Sequence, residues 1–400
     1  SDVAAKAFGG DLSKFGPDYL IPSPFDQRLI LRIAPAVAKA AMDSGVATRP
    51  ITDFDTYNDG LNRFVFRSGL IMKPIFSSCQ GAGRRVIYSD GEDERVLRAT
   101  QVVLEENLAV PILVGRPQVI ESRIARHGLA IRPGEDFEII NPEDDPRYRD
   151  YVDSYHALVG RRGIPPEAAR TIVRTNPTVI GALAVHRGDA DALICGLEGR
   201  FQKQVRDVRA VIGMDDGVRD LSTLSLLIST YGAVFMTDTY VTHDPSAEEI
   251  AEMTMLAAGH ISRFGITPKA ALLSYSNFGS QDTPSALKMR KATELLWNLA
   301  PELEVDGEMH GDSALSDALR ERVMPTSKLT SPANLLVFPN LDAANIALNL
   351  VKVMTDALHV GPILLGTAAP VHIMTPSVTS RGVANMTALA AVEASEKAGS

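Results

Sequence analysis

The sequence predicts an α/β protein built as two lobes with a cleft between them, and three observations carry the prediction. From Arg84 onward, short apolar runs of strand character alternate with amphipathic helical patterns, the signature of parallel βαβ units. The alternation comes in two sets, the second with a more apolar group of strands starting near Leu224. And 400 residues are too many for one ordinary domain. Two α/β halves facing one another satisfy all three.

Taken in order, residues 1–50 hold one clear helix. Asp26 is a suitable N-cap, Leu29, Ile30, Ile33, Val37, Ala40 and Ala41 recur at helical spacing, and Gly45 stops the run. Pro35 lies inside the pattern and predicts a break or kink. With no partner inside residues 1–50, this helix must pack on something else. Residues 51–83 read as a linker that docks on neighbouring structure: Thr56–Arg67 can be helical, and Lys73–Gly83 is rich in Ser, Gln and Gly.

The first lobe is expected to span 84–215 and to be completed by 368–400. Arg85–Ser89 is a strand. Asp90-Gly91-Glu92-Asp93-Glu94 opens a helix with acidic residues where the helix dipole favours them, and Val96, Leu97, Val103 and Leu104 form its apolar stripe. Pro111–Val114 returns as a strand, helices follow near Glu167–Arg174 and Val179–Arg187, and Ala192–Gly196 is the next strand. The second lobe, 216–367, begins with strands Leu224–Ser229 and Ala233–Thr237. Ser246-Ala247-Glu248-Glu249 is a capping box opening a helix. Then come the strand Lys269–Leu273, the helix Pro284–Leu299, and strands near Glu304–Glu308, Asn334–Phe338 and Gly361–Leu365. A long helix, Ala343–Ala357, precedes the last of these, and a helix through Val383–Ser395 closes the chain.

Composition narrows the function classes. Hydrophobic residues at 45% and charged residues at 22% are ordinary for a water-soluble globular chain. A net charge of −9 argues against non-specific nucleic-acid binding, which needs basic surface, while leaving room for a local basic pocket. Two cysteines, Cys79 and Cys195, make neither a disulfide framework nor a zinc site, so a cytoplasmic location is expected. No apolar run reaches bilayer-spanning length and no leader pattern opens the chain, so no membrane partner is expected. The chain starts mid-pattern at Ser1-Asp2-Val3 without Met, which reads as a segment cut from a longer protein.

Chemistry concentrates at one turn. Between the strand Lys269–Leu273 and its helix lie Ser274, Ser276, Asn277, Gly279 and Ser280. Small hydroxyl residues at a strand's C-terminal end, facing a helix N-terminus, collect anions, because free N–H groups and the helix dipole point into the gap. Open α/β sheets bind ligands along this edge, though such a run also serves as a plain turn. The stretch Gly199–Val211 carries Arg200, Lys203, Arg206 and Arg209, either an anion-facing rim or a solvated helix face. His310 and Asp312 beside Asp306 and Glu308 read as a polar strand end facing water. No G-x-G-x-x-G follows a strand, and no P-loop, His-x-x-x-His, Cys-x-x-Cys or Gly-x-Ser-x-Gly pattern occurs, so no metal site is expected.

Residues 15–51, from Phe15-Gly16-Pro17-Asp18-Tyr19 through Arg32-Ile33-Ala34-Pro35 to Pro50-Ile51, resemble the tail of the nucleotide-binding domain of bacterial NADP-dependent malic enzymes. From about Arg84 to the end the chain resembles phosphate acetyltransferases (phosphotransacetylases). The matching stretches are Asp90–Arg95, Gly188–Ala192, Leu273–Ser276 with Gly279-Ser280, Asp306–Glu308, Ala333–Leu341, Asn345-Ile346 and Gly361–Ile363. In this order the combination resembles the large hybrid malic enzymes, where a phosphotransacetylase-like domain follows the catalytic portion. The resemblance implies a phosphotransacetylase-like, isocitrate/isopropylmalate dehydrogenase-like architecture, with 1–50 as the tail of the nucleotide-binding domain. The malate site, the divalent metal (Mg or Mn) and most of the NADP site would lie upstream of this chain.

Departures from the family pattern shape the expected function. Active members carry Leu-Ser-Arg-Gly with an Asp a short way on; Ser and Arg contact the thiol and the acyl phosphate, and the Asp is a candidate base. Aligned without gaps through the closing helix, on Asn385 and Ala388–Ala394, those places fall on Thr375, Pro376 and Gly382. Pro binds no phosphate and Gly takes no proton. A shifted register puts Ser380-Arg381-Gly382 on the motif and restores Ser and Arg, but still lacks the acid. An upstream family arginine falls on Val159, ahead of Arg161-Arg162-Gly163, and a hydroxyl-rich turn becomes Glu198–Lys203. Arg206 and the Ser274–Ser280 turn are kept.

The resemblance therefore implies a cleft for acetyl-CoA or another acyl-CoA formed by Arg206, Ser274, Ser276, Asn277, Gly279, Ser280, Asn345, Thr375 and Arg381, with no catalytic residue. It implies a regulatory portion that couples acetyl-CoA occupancy to a malic enzyme active site, as a homodimer or higher homo-oligomer. A working phosphate acetyltransferase and a ligand-free oligomerisation module are the alternatives.

Overall fold

The computed structural model describes residues 28–399. In chain order its strands are β1 (Arg85–Tyr88), β2 (Val110–Val114), β3 (Glu138–Ile140), β4 (Ala192–Cys195), β5 (Ser222–Ser229), β6 (Gly232–Thr237), β7 (Lys269–Leu273), β8 (Glu304–Met309), β9 (Leu335–Val337), β10 (Leu358–Leu365) and β11 (Val371–Ile373). They form two sheets, ordered β11-β4-β1-β2-β3 and β10-β5-β6-β9-β7-β8. The first is parallel throughout. The second joins an antiparallel trio, β10, β5 and β6, to the parallel strands β9, β7 and β8. Helices cover both faces, which is why β4 reads as the unbroken apolar run Ala-Leu-Ile-Cys, buried at every residue.

The closing helix, Ser380–Gly399, is the seam. It packs on β4, β1 and β11 of the first sheet and on β10 of the second. Val383 through Ala394 are all buried, and the Thr387 hydroxyl meets that of Tyr88 at 2.9 Å. A helix apolar on every side needs neighbours on every side, and the two lobes supply them.

Several expectations change. Residues 51–83 are mostly a single helix, Phe54–Cys79, N-capped by Asp53, where the sequence suggests a linker with a Ser- and Gly-rich tail. Its last turns bury Met72, Ile75 and Cys79 in the main core and dock on the closing helix, so burial overrides weak local propensity. The helix Arg28–Asp43 runs through Pro35 without a break and packs on Phe54–Cys79, the outside partner it lacked; one missing backbone bond is carried by the turns on either side. The proposed cap Asp26 lies outside the described residues, as do 1–27 of the malic-enzyme-like stretch. Asp306 and Glu308 do not face water: they are 5% and 1% exposed, and the Asp306 carboxylate accepts from Ser327 Oγ and Lys328 N. The weakly patterned helices Pro117–His127 and Tyr148–Val159 and the short strands β3 and β11 have no counterpart in the sequence reading.

Candidate functional site

The lobes meet where the helix Phe201–Val211, which follows β4, touches the turn after β6. Gln202 Nε2 donates to the Tyr240 carbonyl at 2.8 Å, and the Phe201 and Tyr240 rings lie 5.1 Å apart. On the first lobe, Asp90 follows β1 and accepts from Ser89 Oγ at 2.8 Å and from the amides of Gly196 and Leu197 at 3.0 and 3.3 Å. Burial pushes its pKa above the ordinary carboxylate value. Beside it the chain leaves β11 as Thr375–Val378, pinned by the Arg95 guanidinium, which donates to the Pro376 carbonyl at 2.7 Å.

On the second lobe, Asp238 follows β6 as a fully buried carboxyl. It accepts from the amides of Thr223, Tyr240, Val241 and Thr242 and from the Thr223 hydroxyl, while burial raises its pKa. This cage gives the turn after β6 its shape. Asn345, on the helix Leu341–Met354, braces it by donating to the Thr239 carbonyl at 3.1 Å.

The turn after β7 is folded as the sequence suggests, but its anion cradle is already filled. Glu308, from neighbouring β8, accepts from Ser276 Oγ at 2.7 Å and from the Gly279 amide at 2.9 Å. Arg290 donates to both of its carboxylate oxygens, at 3.1 and 3.2 Å. Burial alone would raise the Glu308 pKa; Arg290, then Ser276 and the Gly279 amide, hold it below the usual range. Ser276 is wholly buried, and its hydroxyl also accepts from the Gln281 amide. Ser274 Oγ accepts from the Ser276 amide. Asn277 holds the His310 amide and the Ser313 hydroxyl. So Ser274, Ser276 and Asn277 build the turn, and Gly279 and Ser280 form its exposed tip.

The remaining residues divide. Arg206 is exposed on the helix Phe201–Val211 and unpaired among the described residues, whereas Lys203 bonds Asp207 at 2.7 Å and Arg209 bonds Asp220. Thr375 is half-buried, its hydroxyl 3.2 Å from that of Ser377. Arg381 is taken up elsewhere, with its guanidinium stacked 5.4 Å from the Phe76 ring centroid. A side chain at Gly382 would be crowded, since a Cβ there would meet Val378 Cγ2 at 2.8 Å. Among the described residues no group of three His, Cys, Asp or Glu could hold a metal ion. Sequence reading missed Asp238, because Thr237-Asp238-Thr239 looks like an ordinary strand end, and it missed the Glu308–Arg290 pair, because the two come from separate elements.

Comparison with known proteins gives the family. The chain is 70% identical over 396 residues to an NAD-dependent malic enzyme of Rhizobium meliloti, covering 99% of this chain and 51% of that protein. It is 52% identical over 395 residues to an NADP-dependent malic enzyme of Escherichia coli, covering 98% and 52%. The chain thus spans about half the length of these relatives. A phosphate acetyltransferase of Paracoccus denitrificans is 32% identical over 332 residues, 80% of this chain and 99% of that one. A phosphotransacetylase structure from Streptococcus pyogenes superposes with a TM-score of 0.76 at 27% identity, covering 82% of this chain and 98% of that one. Malic enzymes match nearly the whole chain, phosphotransacetylases only the part after the first helices. The family model for phosphate acetyl/butaryl transferase matches residues 70–391, more than half of the sequence, and the chain belongs to that family.

Proposed function

We propose that this chain is the acyl-CoA-sensing, non-catalytic portion of a malic enzyme. It binds acetyl-CoA or a related acyl-CoA between the lobes and passes occupancy to the malate-oxidising part of the longer protein. One observation supports the reading: where the resemblance implies a Ser, an Arg and an acid after β11, this chain has Thr375, Pro376 and Gly382. Thr375 turns its hydroxyl to Ser377, the Pro376 carbonyl is bonded to Arg95, and Gly382 is hemmed in by Val378. Removing a thiol proton needs a positioned base, and an acyl-transfer transition state needs donors aimed at the developing charge. Binding asks for less, and the exposed cations Arg200 and Arg206 beside the lobe junction suit a phosphate-bearing ligand.

The relatives' length supports the division of labour, with dinucleotide, Mg or Mn and malate handled outside this chain. Regulation requires acyl-CoA to bind one global state better than another. Titration of acetyl-CoA into the chain should give saturable heat, with no release of CoA when phosphate is added. Robust acetyl phosphate formation would replace this reading with a working acetyltransferase; an absence of heat would replace it with a scaffold. In the longer protein, acetyl-CoA should change malate oxidation, and Arg206→Ala should blunt that response.

Self-association is supported by a separate observation. The helix Leu341–Met354 presents Ile346, Leu350, Val353 and Met354 to solvent at 56–81% exposure, a stripe suited to a second copy of the chain. Leu350→Glu should lower the sedimenting mass. A cytoplasmic setting fits the two buried free thiols, Cys79 and Cys195.

A further inference from the structure

A cavity of about 660 Å³ lies apart from the cleft and shares no lining residue with it. Its walls come from both lobes: the helix Ala247–Arg263, the end of β10 with Gly366 and Thr367, and the last turns of the closing helix. The volume is within the range of about 300–1,000 Å³ typical of small-molecule sites.

Three features point to a ligand. Gly259 stands inside the helix and lines this space, although a helix-interior glycine costs about 1 kcal/mol against alanine. A Cβ there would meet nothing within 4 Å, so neighbouring side chains do not require the glycine, and it borders open space. Second, His260 Nδ1, Arg263 Nη1 and Glu393 Oε1 are buried without a hydrogen-bond partner, and all three residues line the cavity. The two nitrogens stand 3.4 and 3.9 Å from Glu393 Oε1, close enough for attraction but not aligned to bond, and Glu393 is only 8% exposed. His372 Nε2 approaches the same oxygen at 3.3 Å from the opposite lobe, while its Nδ1 accepts from the Leu364 amide. Third, the charges at the mouth are paired, Arg263 with Glu396 and Lys397 with Asp215, both at 2.8 Å. The lining thus offers acids and bases side by side, with one carboxylate in excess, over an apolar wall of Met255, Leu256, Leu364 and Pro370.

We propose that this cavity is a second site, for a small zwitterion of the amino-acid class. The ammonium faces Glu393 and the acidic mouth, the carboxylate faces Arg263, whose Nη1 is without a hydrogen-bond partner, and a short apolar side chain lies on Met255 and Leu256. Because the walls belong to both lobes, occupancy favours the lobe arrangement that best encloses the ligand.

The test is calorimetric titration of the full chain with single free amino acids, using ethylammonium and propionate as half-ligand probes. At least one amino acid should bind at least tenfold more tightly than either probe. Gly259→Phe, which fills the cavity, should abolish that binding. Gly259→Ala should keep it and raise the melting temperature, showing that the helix tolerates substitution. The proposal is overturned if no amino acid binds the unaltered chain, if either probe binds equally well, or if binding survives Gly259→Phe. Should Gly259→Phe fail to fold, Arg263→Gln decides: unchanged amino-acid affinity there overturns the proposal too.

Discussion

The turns after β7 and after β11 start from similar material, small and hydroxyl-bearing residues between a strand end and a helix, and finish differently. In the first, a carboxylate from the next strand occupies the cradle and an arginine locks it there. In the second, an arginine from another helix, Arg95, holds the backbone by donating to the Pro376 and Val378 carbonyls. Residue types at a strand-to-helix turn show that donors are present. Whether those donors are vacant is decided by what an adjacent strand delivers.

The largest test of that contrast is Glu308→Ala against Thr375→Ala. The first removes a carboxylate shared by Arg290, the Ser276 hydroxyl and the Gly279 amide and should cost about 1–3 kcal/mol, as loss of hydrogen bonds to a buried charged acceptor does. The second should stay within about 0.5 kcal/mol, as at a surface position. Denaturant unfolding giving equal losses would break the comparison.

Acid probes the scaffold away from both turns. Burial holds His260 and His359 at about 4, down from an ordinary 6.5. Between those values the unfolded chain binds protons that the folded chain refuses, so stability is full above about 6.5 and drains away as pH falls toward 4. Each histidine accounts for at most about 3 kcal/mol. Melting temperature measured from pH 7.5 to 4.5 should fall, and His359→Phe should flatten the slope; a flat profile in the unaltered chain would contradict these buried neutral imidazoles.

Gly382→Asp sharpens the comparison at the second turn. An acid in the first helical turn gains up to about 1 kcal/mol from the dipole, but crowding Val378 costs about 1–3 kcal/mol, so net destabilisation is expected. On the proposed reading, acetyl phosphate formation is expected from neither the unaltered chain nor that variant. The smallest structural effect belongs to Arg206→Ala: stability unchanged within about 0.5 kcal/mol, with acetyl-CoA affinity down about tenfold, near 1.4 kcal/mol. An unchanged affinity would remove Arg206 from the site.

Much of the fold was legible because its strong periodic stretches lie where the chain is buried on a regular pattern. Lys269–Leu273 and Pro284–Leu299 match residue for residue, and the capping box at Ser246 forms as read. The strand β11 was not legible, since three residues carry too little period, and Phe54–Cys79 was obscured by Pro74 and the serines near its end. Of the candidate site, Arg206, Gly279 and Ser280 are exposed, while Ser274, Ser276 and Asn277 are less so, and the five residues from Ser274 to Ser280 named here share bonds within their turn.

By itself, then, the sequence determined the α/β alternation, the split into two strand sets and the family pattern, because these are written in local spacing and residue type. Only the tertiary structure decided that Glu308 closes the β7 turn, that Arg381 leaves for Phe76, and that a cavity opens beside Gly259. Each of those depends on groups far apart in the chain, and where distant charges meet is set by how the lobes pack.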